Sequence, residues 1–421
     1  MSKKNSPDLV SIHGGLSEPV DRTVPLHQRD AFKAEAAALP NVVVTAADLS
    51  TVYRIADGAL SPLDGPMKKD EFHQVLDESV IVRDGVRYAW TIPLSLPLTD
   101  AESEGISQGS SVAVRTEDGT LVAIVDESEV FDWDKPEYVR SVYGTERFDH
   151  PGGRMVESDP RGKLLGGQIR VLPQAPNMEY GEFMMSPARV RGLIRDRKWQ
   201  RALAFQTRNP LHRAHEYALV AGVEQLTSRG LFAGAILNPL VGELKGDDVP
   251  ASVRMRCYRE LHSKQLLGQG DKDESIWEAA GYDISEVFDL VGLDMKMFYG
   301  GPKEAIMHAI YRQNYGFTDI VIGRKHADAP FEGGEAIWGD FDAHEIFEKL
   351  PGELEIEPCK IGFAAYYESL GRVDLTERHP DEKPFSISGT KVREQLSSGD
   401  RPDERIMRPE TADILISAYQ G

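Results

Sequence analysis

The densest run of chemically capable side chains is Gln206-Thr207-Arg208-Asn209-Pro210-Leu211-His212-Arg213-Ala214-His215-Glu216. It follows Ala202-Leu203-Ala204-Phe205, which reads as a buried strand, and it opens a helical pattern from Leu211 through Glu224. Pro210 suits the first turn of that helix, where a missing N–H costs nothing. A helix N-terminus offers unpaired N–H groups and the positive end of a dipole, so it attracts phosphate. His212 and His215 share one helix face, and both are able to donate hydrogen bonds to phosphate oxygens. His-x-x-His alone also fits a capped surface helix with incidental histidines, and the His-Glu-x-x-His spacing of a zinc protease is absent. Arg208 and Arg213 beside the amides of Gln206 and Asn209 would be a costly choice for capping alone.

A second basic run, Gly323-Arg324-Lys325-His326-Ala327-Asp328-Ala329-Pro330, follows another apolar stretch, Ile320-Val321-Ile322. Gly323 permits close backbone approach, and Arg, Lys and His supply anion donors. A charged surface loop would look the same in isolation. The third run, Ile387-Ser388-Gly389-Thr390-Lys391-Val392-Arg393, combines a helix cap from Ser388 or Thr390 with two further cations. The segment Asn238–Asp248 is polar and Gly-containing, but Gly-x-x-x-x-Gly-Lys-Ser/Thr occurs nowhere, so a P-loop kinase is not expected.

The elements that must position these runs follow from periodicity. Up to about residue 195 the pattern is mainly β. Val42–Val44 is a short strand, Val80–Val82 and Val86–Tyr88 flank the hairpin signal Asp84-Gly85, and Val112–Val114 pairs with Leu121–Val125. Gly152 to Gly167 reads as loop and Gln168–Leu172 as one more strand, with His73 and His150 solvated or packed. From Lys198 onward, buried strands (Ala202–Phe205, Ala233–Leu237, Ile320–Ile322) alternate with helices (Leu211–Glu224, Ser252–Leu261, Glu304–Asn314). That alternation predicts a parallel, doubly wound α/β sheet with ligands at the carboxyl ends of its strands. After Pro351 a strand is expected over Ile361–Tyr367, a loop over Gly371–Pro384 and helices over Thr390–Leu396 and Pro409–Tyr419.

Composition bounds the function. The 421 residues suffice for two or three domains, and 68 acidic against 48 basic side chains give a net charge of −20. So acidic a surface repels nucleic acid and anionic membrane, and an anionic substrate needs a local basic pocket. Cys257 and Cys359 are far apart and form no metal or disulfide pattern. Neither a secretory signal nor a membrane-length apolar run is visible, so a cytoplasmic location is expected.

Taken with Leu240-Val241-Gly242, Gly301-Pro302-Lys303-Glu304-Ala305 and the other two basic runs in the same order, Gln206–Pro210 with His212 and His215 resembles the signature of the ATP sulfurylase family. Its His-x-x-His resembles the nucleotide-binding motif of the wider nucleotidyltransferase superfamily, and Gly58-Ala59-Leu60-Ser61-Pro62-Leu63-Asp64-Gly65 is an N-terminal echo of the family. The resemblance implies an α/β protein: a PUA-like β domain over 1–195, a parallel doubly wound nucleotidyltransferase (HUP-type) domain over 196–350, and a small α/β domain over 351–421. It implies a sulfate adenylyltransferase, in which sulfate attacks the α-phosphate of ATP to give adenylyl sulfate and pyrophosphate.

By the same likeness Thr207, Arg208, Asn209, His212 and His215 are catalytic. ATP would meet Gln206, those five residues, Gly323, Arg324, Lys325, His326 and, beside adenine, Gly362. Sulfate would meet Gln206, Arg208 and the Ala327 backbone. The partners implied are ATP, sulfate, adenylyl sulfate and pyrophosphate, with no nucleic acid or membrane; monomer and homo-oligomer both stay open. No protein metal site is implied. Mg2+ arrives on ATP, and zinc is not expected because Tyr366 to Ser386 lacks the cysteines some prokaryotic members carry there. Lys325 stands where most members have Asp, and Gly-Arg-Lys-His-Ala-Asp-Ala-Pro looks like the branch of dissimilatory sulfur metabolism, where the reaction runs in reverse to make ATP. Two other readings are open: a nucleotidyltransferase for a nicotinamide or pantetheine phosphate, and an RNA-binding protein with a dead catalytic domain.

Overall fold

The computed structural model describes residues 9–242 and 249–420. In chain order, β1 (Asn41–Val44) is followed by the hairpin β2 (Val80–Arg83) and β3 (Val86–Ala89), then β4 (Leu96–Leu98), β5 (Val112–Thr116), β6 (Leu121–Asp132) and β7 (Lys163–Val171). Asp84 and Gly85 take φ values of 51° and 80°, the paired left-handed conformation that a two-residue hairpin turn requires. The first sheet has the order β1-β5-β6-β7-β4, with β1 and β5 parallel and the remaining pairs antiparallel. β6 bends where its register against β7 shifts between Asp126 and Glu129.

The stretch from Gly152 to Gly167, expected as loop, is instead a helix, Pro151–Glu157, followed by the start of β7. Pro151 occupies the first helical turn, and His150 caps it by accepting the Gly153 N–H at 3.2 Å. Its glycines serve close approach. A Cβ on Gly152 would lie 2.4 Å from the Tyr143 ring, and one on Gly166 would lie 2.3 Å from the Met67 carbonyl oxygen.

The second sheet carries the chemistry. It comprises β8 (Arg201–Thr207), β9 (Ala233–Pro239), β10 (Phe288–Leu290), β11 (Asp319–Gly323) and β12 (Glu357–Ile361), ordered β10-β9-β8-β11-β12 and parallel throughout. Sequence runs outward in both directions from between β8 and β11. That is the switch point of a doubly wound sheet, and a crevice opens there beyond the strand ends. Helix Arg213–Thr227, which leaves β8, buries Leu219, Val220 and Val223 completely, each worth roughly 1.5–3 kcal/mol. Helix Gly301–Tyr315, which leads into β11, is buried along nearly its whole length.

The single strand expected over Ile361–Tyr367 is broken at Gly362-Phe363. Ile361 ends β12, whereas β13 (Ala364–Tyr367) pairs antiparallel with β14 (Arg372–Leu375), within the segment expected as loop. Helix Pro409–Gln420 packs on helix Ala251–Ser263 and on helix Gly389–Ser398, around Cys257, Leu396, Met407 and Leu415. Both cysteines are buried and free.

One contiguous apolar core runs from Val42 to Leu375. Buried polar bonds cross between the halves: Asn314 donates to the carbonyls of Ala59 (3.1 Å) and Ser61 (2.9 Å) and accepts the His13 N–H (3.0 Å). Among the described residues, no helix is long and apolar enough to cross a membrane.

Candidate active site

At the end of β8 the chain turns sharply. Thr207 Oγ1 accepts the Asn209 N–H at 3.2 Å and donates to the Asn209 carbonyl at 3.0 Å, and Tyr258 Oη donates to that carbonyl at 2.7 Å. This turn delays the helix. It begins at Arg213, so Pro210 lies before it and not in its first turn. The cap is His212, whose Nδ1 accepts the His215 N–H at 3.4 Å. In the neutral ring that bond leaves the proton on Nε2. The His212 and His215 rings stack 3.8 Å apart at 21°.

Burial, then the neighbouring His215, pushes His212 down to about 3, and burial alone pushes His215 down to about 4. Both rings are therefore neutral at pH of about 7, each with one N–H to donate. Gln206 Oε1 and His215 Nδ1 are buried without a protein partner. Arg208 lies over the Tyr299 ring, 5.5 Å from its centroid.

Across the switch point, the loop after β11 is held on both sides. Lys325 and Ala327 adopt φ of 52° and 54°, a left-handed backbone fixed by the Lys325 N–H donating to the Asp340 carbonyl (3.0 Å) and the Gly301 N–H donating to the Ala327 carbonyl (3.1 Å). Arg324 pairs with Asp340 at 2.6 Å and lies 3.7 Å from the Phe363 ring centroid; Lys325 Nζ is 3.5 Å from the same carboxylate. His326 Nε2 meets His308 Nδ1 at 2.9 Å. Burial raises Asp328 above the usual carboxylate range, with Lys325 opposing. The break at Gly362 closes the floor, where a Cβ would approach Glu377 Oε2 to 2.9 Å.

The structure brings Gln206, Thr207, Arg208, Asn209, His212, His215, Gly323, Arg324, Lys325, His326, Ala327 and Gly362 around one cavity of about 460 Å3. Met297, Tyr299 and Phe363 also line it. The sequence reading missed all three, because an apolar or aromatic residue in a loop carries no signature of what it will face. Tyr299 had one usable signal, its place just before Gly300-Gly301-Pro302.

Other expected contributors point elsewhere. Arg213 is bound through Nε and Nη2 to the carboxylate of Asp271 at 2.8 and 2.6 Å, which makes it an anchor of the helix start. The third basic run does not converge on the cavity. Ser388 caps its helix by accepting the Lys391 N–H at 3.2 Å, while Lys391 and Arg393 are exposed. Ile387 and Gly389 line a neighbouring cavity of about 270 Å3 that shares His212, Ala214 and Ala364 with the first. In the loop after β9, Val241 faces a different cavity, and residues 243–248 lie outside the described residues.

Comparison with known proteins supplies the family. The chain matches the ATP-sulfurylase family over residues 181–418 and a PUA-like domain over 10–174. It is 50% identical over 415 residues to a sulfate adenylyltransferase of Pyropia yezoensis, covering 98% of this chain and 97% of that one. It is 34% identical over 417 residues to a sulfate adenylyltransferase of Persephonella marina, covering 98% and 99%. A hexameric APS kinase from Thiobacillus denitrificans shares its fold, with a TM-score of 0.71 at 19% identity over 97% of this chain and 68% of that one. A cavity at the β8/β11 switch point, the PUA-like sheet before it and these full-length relatives agree: the chain belongs to the ATP-sulfurylase family.

Proposed function

We propose that this chain is a sulfate adenylyltransferase working in the cavity between β8 and β11. The observation that carries the reading is the meeting of Arg208, the stacked pair His212 and His215, and the Arg324–His326 loop around one cavity in a chain of net charge −20. Sulfate is already ionised, so its attack needs no general base. One sulfate oxygen bonds to the α-phosphorus as the bond to the bridging β-oxygen breaks, and pyrophosphate departs with that electron pair.

The obstacle is the repulsion of two anions, so the work is positioning and electrostatic stabilisation. Arg208 holds sulfate in line, with its guanidinium backed by Tyr299. His212 Nε2–H and the His215 ring donate to the phosphates between nucleophile and leaving group. Gln206 lines the same cavity, and its amide, with Nε2–H2 as donor and Oε1 as acceptor, suits contacts to sulfate and to the nucleotide. Arg324, braced by Asp340 and Phe363, and His326 face the nucleotide, and Gly362, on the same cavity, lies beside adenine. Mg2+ enters bound to the β- and γ-phosphates of ATP.

Lys325, in the place of the family's usual Asp, adds a cation beside the cavity. It supports assignment to the dissimilatory branch, with adenylyl sulfate and pyrophosphate as substrates. A coupled assay in both directions tests the reading. Sulfate- or selenate-dependent pyrophosphate release from ATP, and ATP formation from adenylyl sulfate, are expected; pyrophosphate release indifferent to either oxyanion would contradict it.

A further inference from the structure

Behind His326, beneath the loop after β11, lie two buried titratable groups that the adenylyl-transfer reading does not use. Glu304 and His308, one turn apart on helix Gly301–Tyr315, are both fully buried. Glu304 Oε1 accepts the Phe298 N–H and Oε2 accepts the Gly300 N–H, each at 2.9 Å. His308 Nε2 lies 3.2 Å from Oε1, and His308 Nδ1 lies 2.9 Å from His326 Nε2. His326 itself lines the cavity.

The bonding fixes the protons. With Glu304 ionised, both oxygens only accept, so His308 carries its proton on Nε2 and offers Nδ1 as acceptor. His326 must then carry its proton on Nε2, and its remaining nitrogen, Nδ1, presents a lone pair. One further proton taken up at His326 Nδ1 changes every member. The proton between the two rings passes to His308 Nδ1, and the proton between His308 and Glu304 passes to the carboxylate. His326 then holds N–H at Nδ1, both imidazoles are neutral, and Glu304 is a neutral acid.

We propose that Glu304 and His308 are positioning residues that convert His326 Nδ1 from hydrogen-bond acceptor to donor, so that an anionic ligand enters the cavity together with one proton. The inference rests on reading the cavity as the adenylyl sulfate site. Burial pushes the Glu304 carboxyl up to about 7 and drives both imidazoles well below their usual range, so the added proton resides on Glu304 and leaves no stranded imidazolium. The other groups packed around the chain are Arg312 on the same helix, His344 behind the loop, and Tyr138 and Tyr143 on helix Lys135–Tyr143. Arg324, Lys325, Asp328 and Asp340 lie on the loop side. Arg312 opposes a positive charge on His308 or His326, which favours storing the proton as a neutral acid.

Adenylyl sulfate has no group of its own that titrates near neutral pH, so protons exchanged on binding belong to the protein. Calorimetry of adenylyl sulfate binding at pH of about 8, in two buffers of different protonation enthalpy, counts them. Wild type is expected to take up close to one proton per site. Glu304→Gln and His308→Asn are expected to bind with little or no uptake; the asparagine keeps an amide oxygen for His326 but cannot relay a proton, and it serves where the buried glutamine variant fails to fold. Binding by wild type without proton uptake, or equal uptake by wild type and His308→Asn, would overturn the relay and leave the functional reading standing. No binding of adenylyl sulfate by wild type would overturn the functional reading and the relay with it.

Discussion

At the scale of single residues, labour is divided among side chains that look alike in the sequence. Arg208 and Arg213 sit five residues apart; one lines the cavity, and the other is spent on Asp271. The sulfate-holding role proposed for Arg208 predicts that Arg208→Lys, which loses the guanidinium fork, raises KM for sulfate about tenfold or more while ATP affinity changes far less; equal losses for both substrates would remove the assigned role. His215→Ala should fold and lose on the order of a hundredfold in kcat, the usual effect of deleting one preorganised donor. The same histidines give stability a pH dependence. Their folded pKa values are depressed to about 3 and about 4, below the unfolded value. Above that unfolded value they cost nothing; as pH falls below it, toward the folded values, the unfolded chain gains protons that the folded chain refuses, and stability drops. Thermal melting between pH about 7 and about 5 should therefore fall less for His215→Gln than for wild type; parallel curves would contradict this.

At the scale of elements, the helix start after β8 has two functions that can be separated. His212 caps the helix with Nδ1 and offers Nε2–H to the cavity. His212→Asn should retain stability, since Asn is among the best caps, while His212→Ala costs about 1 kcal/mol. Both should lose activity alike, and activity that followed stability across the pair would reduce His212 to a cap. Periodicity made the parallel strands legible, and Asp84-Gly85 made the hairpin legible, because both signals are local. The helix at Pro151–Glu157 was not, since a glycine demanded by Tyr143 overhead reads the same as one demanded by a turn. Nor was the break at Gly362, where Ile361 and Ala364 are equally apolar but belong to different sheets. The cations of the first two basic runs were legible as types and positions. Their partners Asp340, Tyr299 and Phe363 were not, because contact depends on how distant loops meet.

At the scale of the whole molecule, the PUA-like sheet and the doubly wound sheet share one core, and Asn314 ties helix Gly301–Tyr315 to the carbonyls of Ala59 and Ser61. Heat should therefore unfold both halves in one cooperative transition; two well-separated transitions would contradict the shared core. The net charge of −20 makes the cavity a basic island in a repelling field. That contrast is what would let a single crevice at the β8/β11 switch point hold both reacting anions. A crystal structure with adenylyl sulfate and pyrophosphate bound decides whether it does. The phosphosulfate group is expected between Arg208, His215 and the Ala327 backbone, with pyrophosphate beside His212; ligand seated in any other cavity, with these side chains untouched, would refute a shared anion crevice.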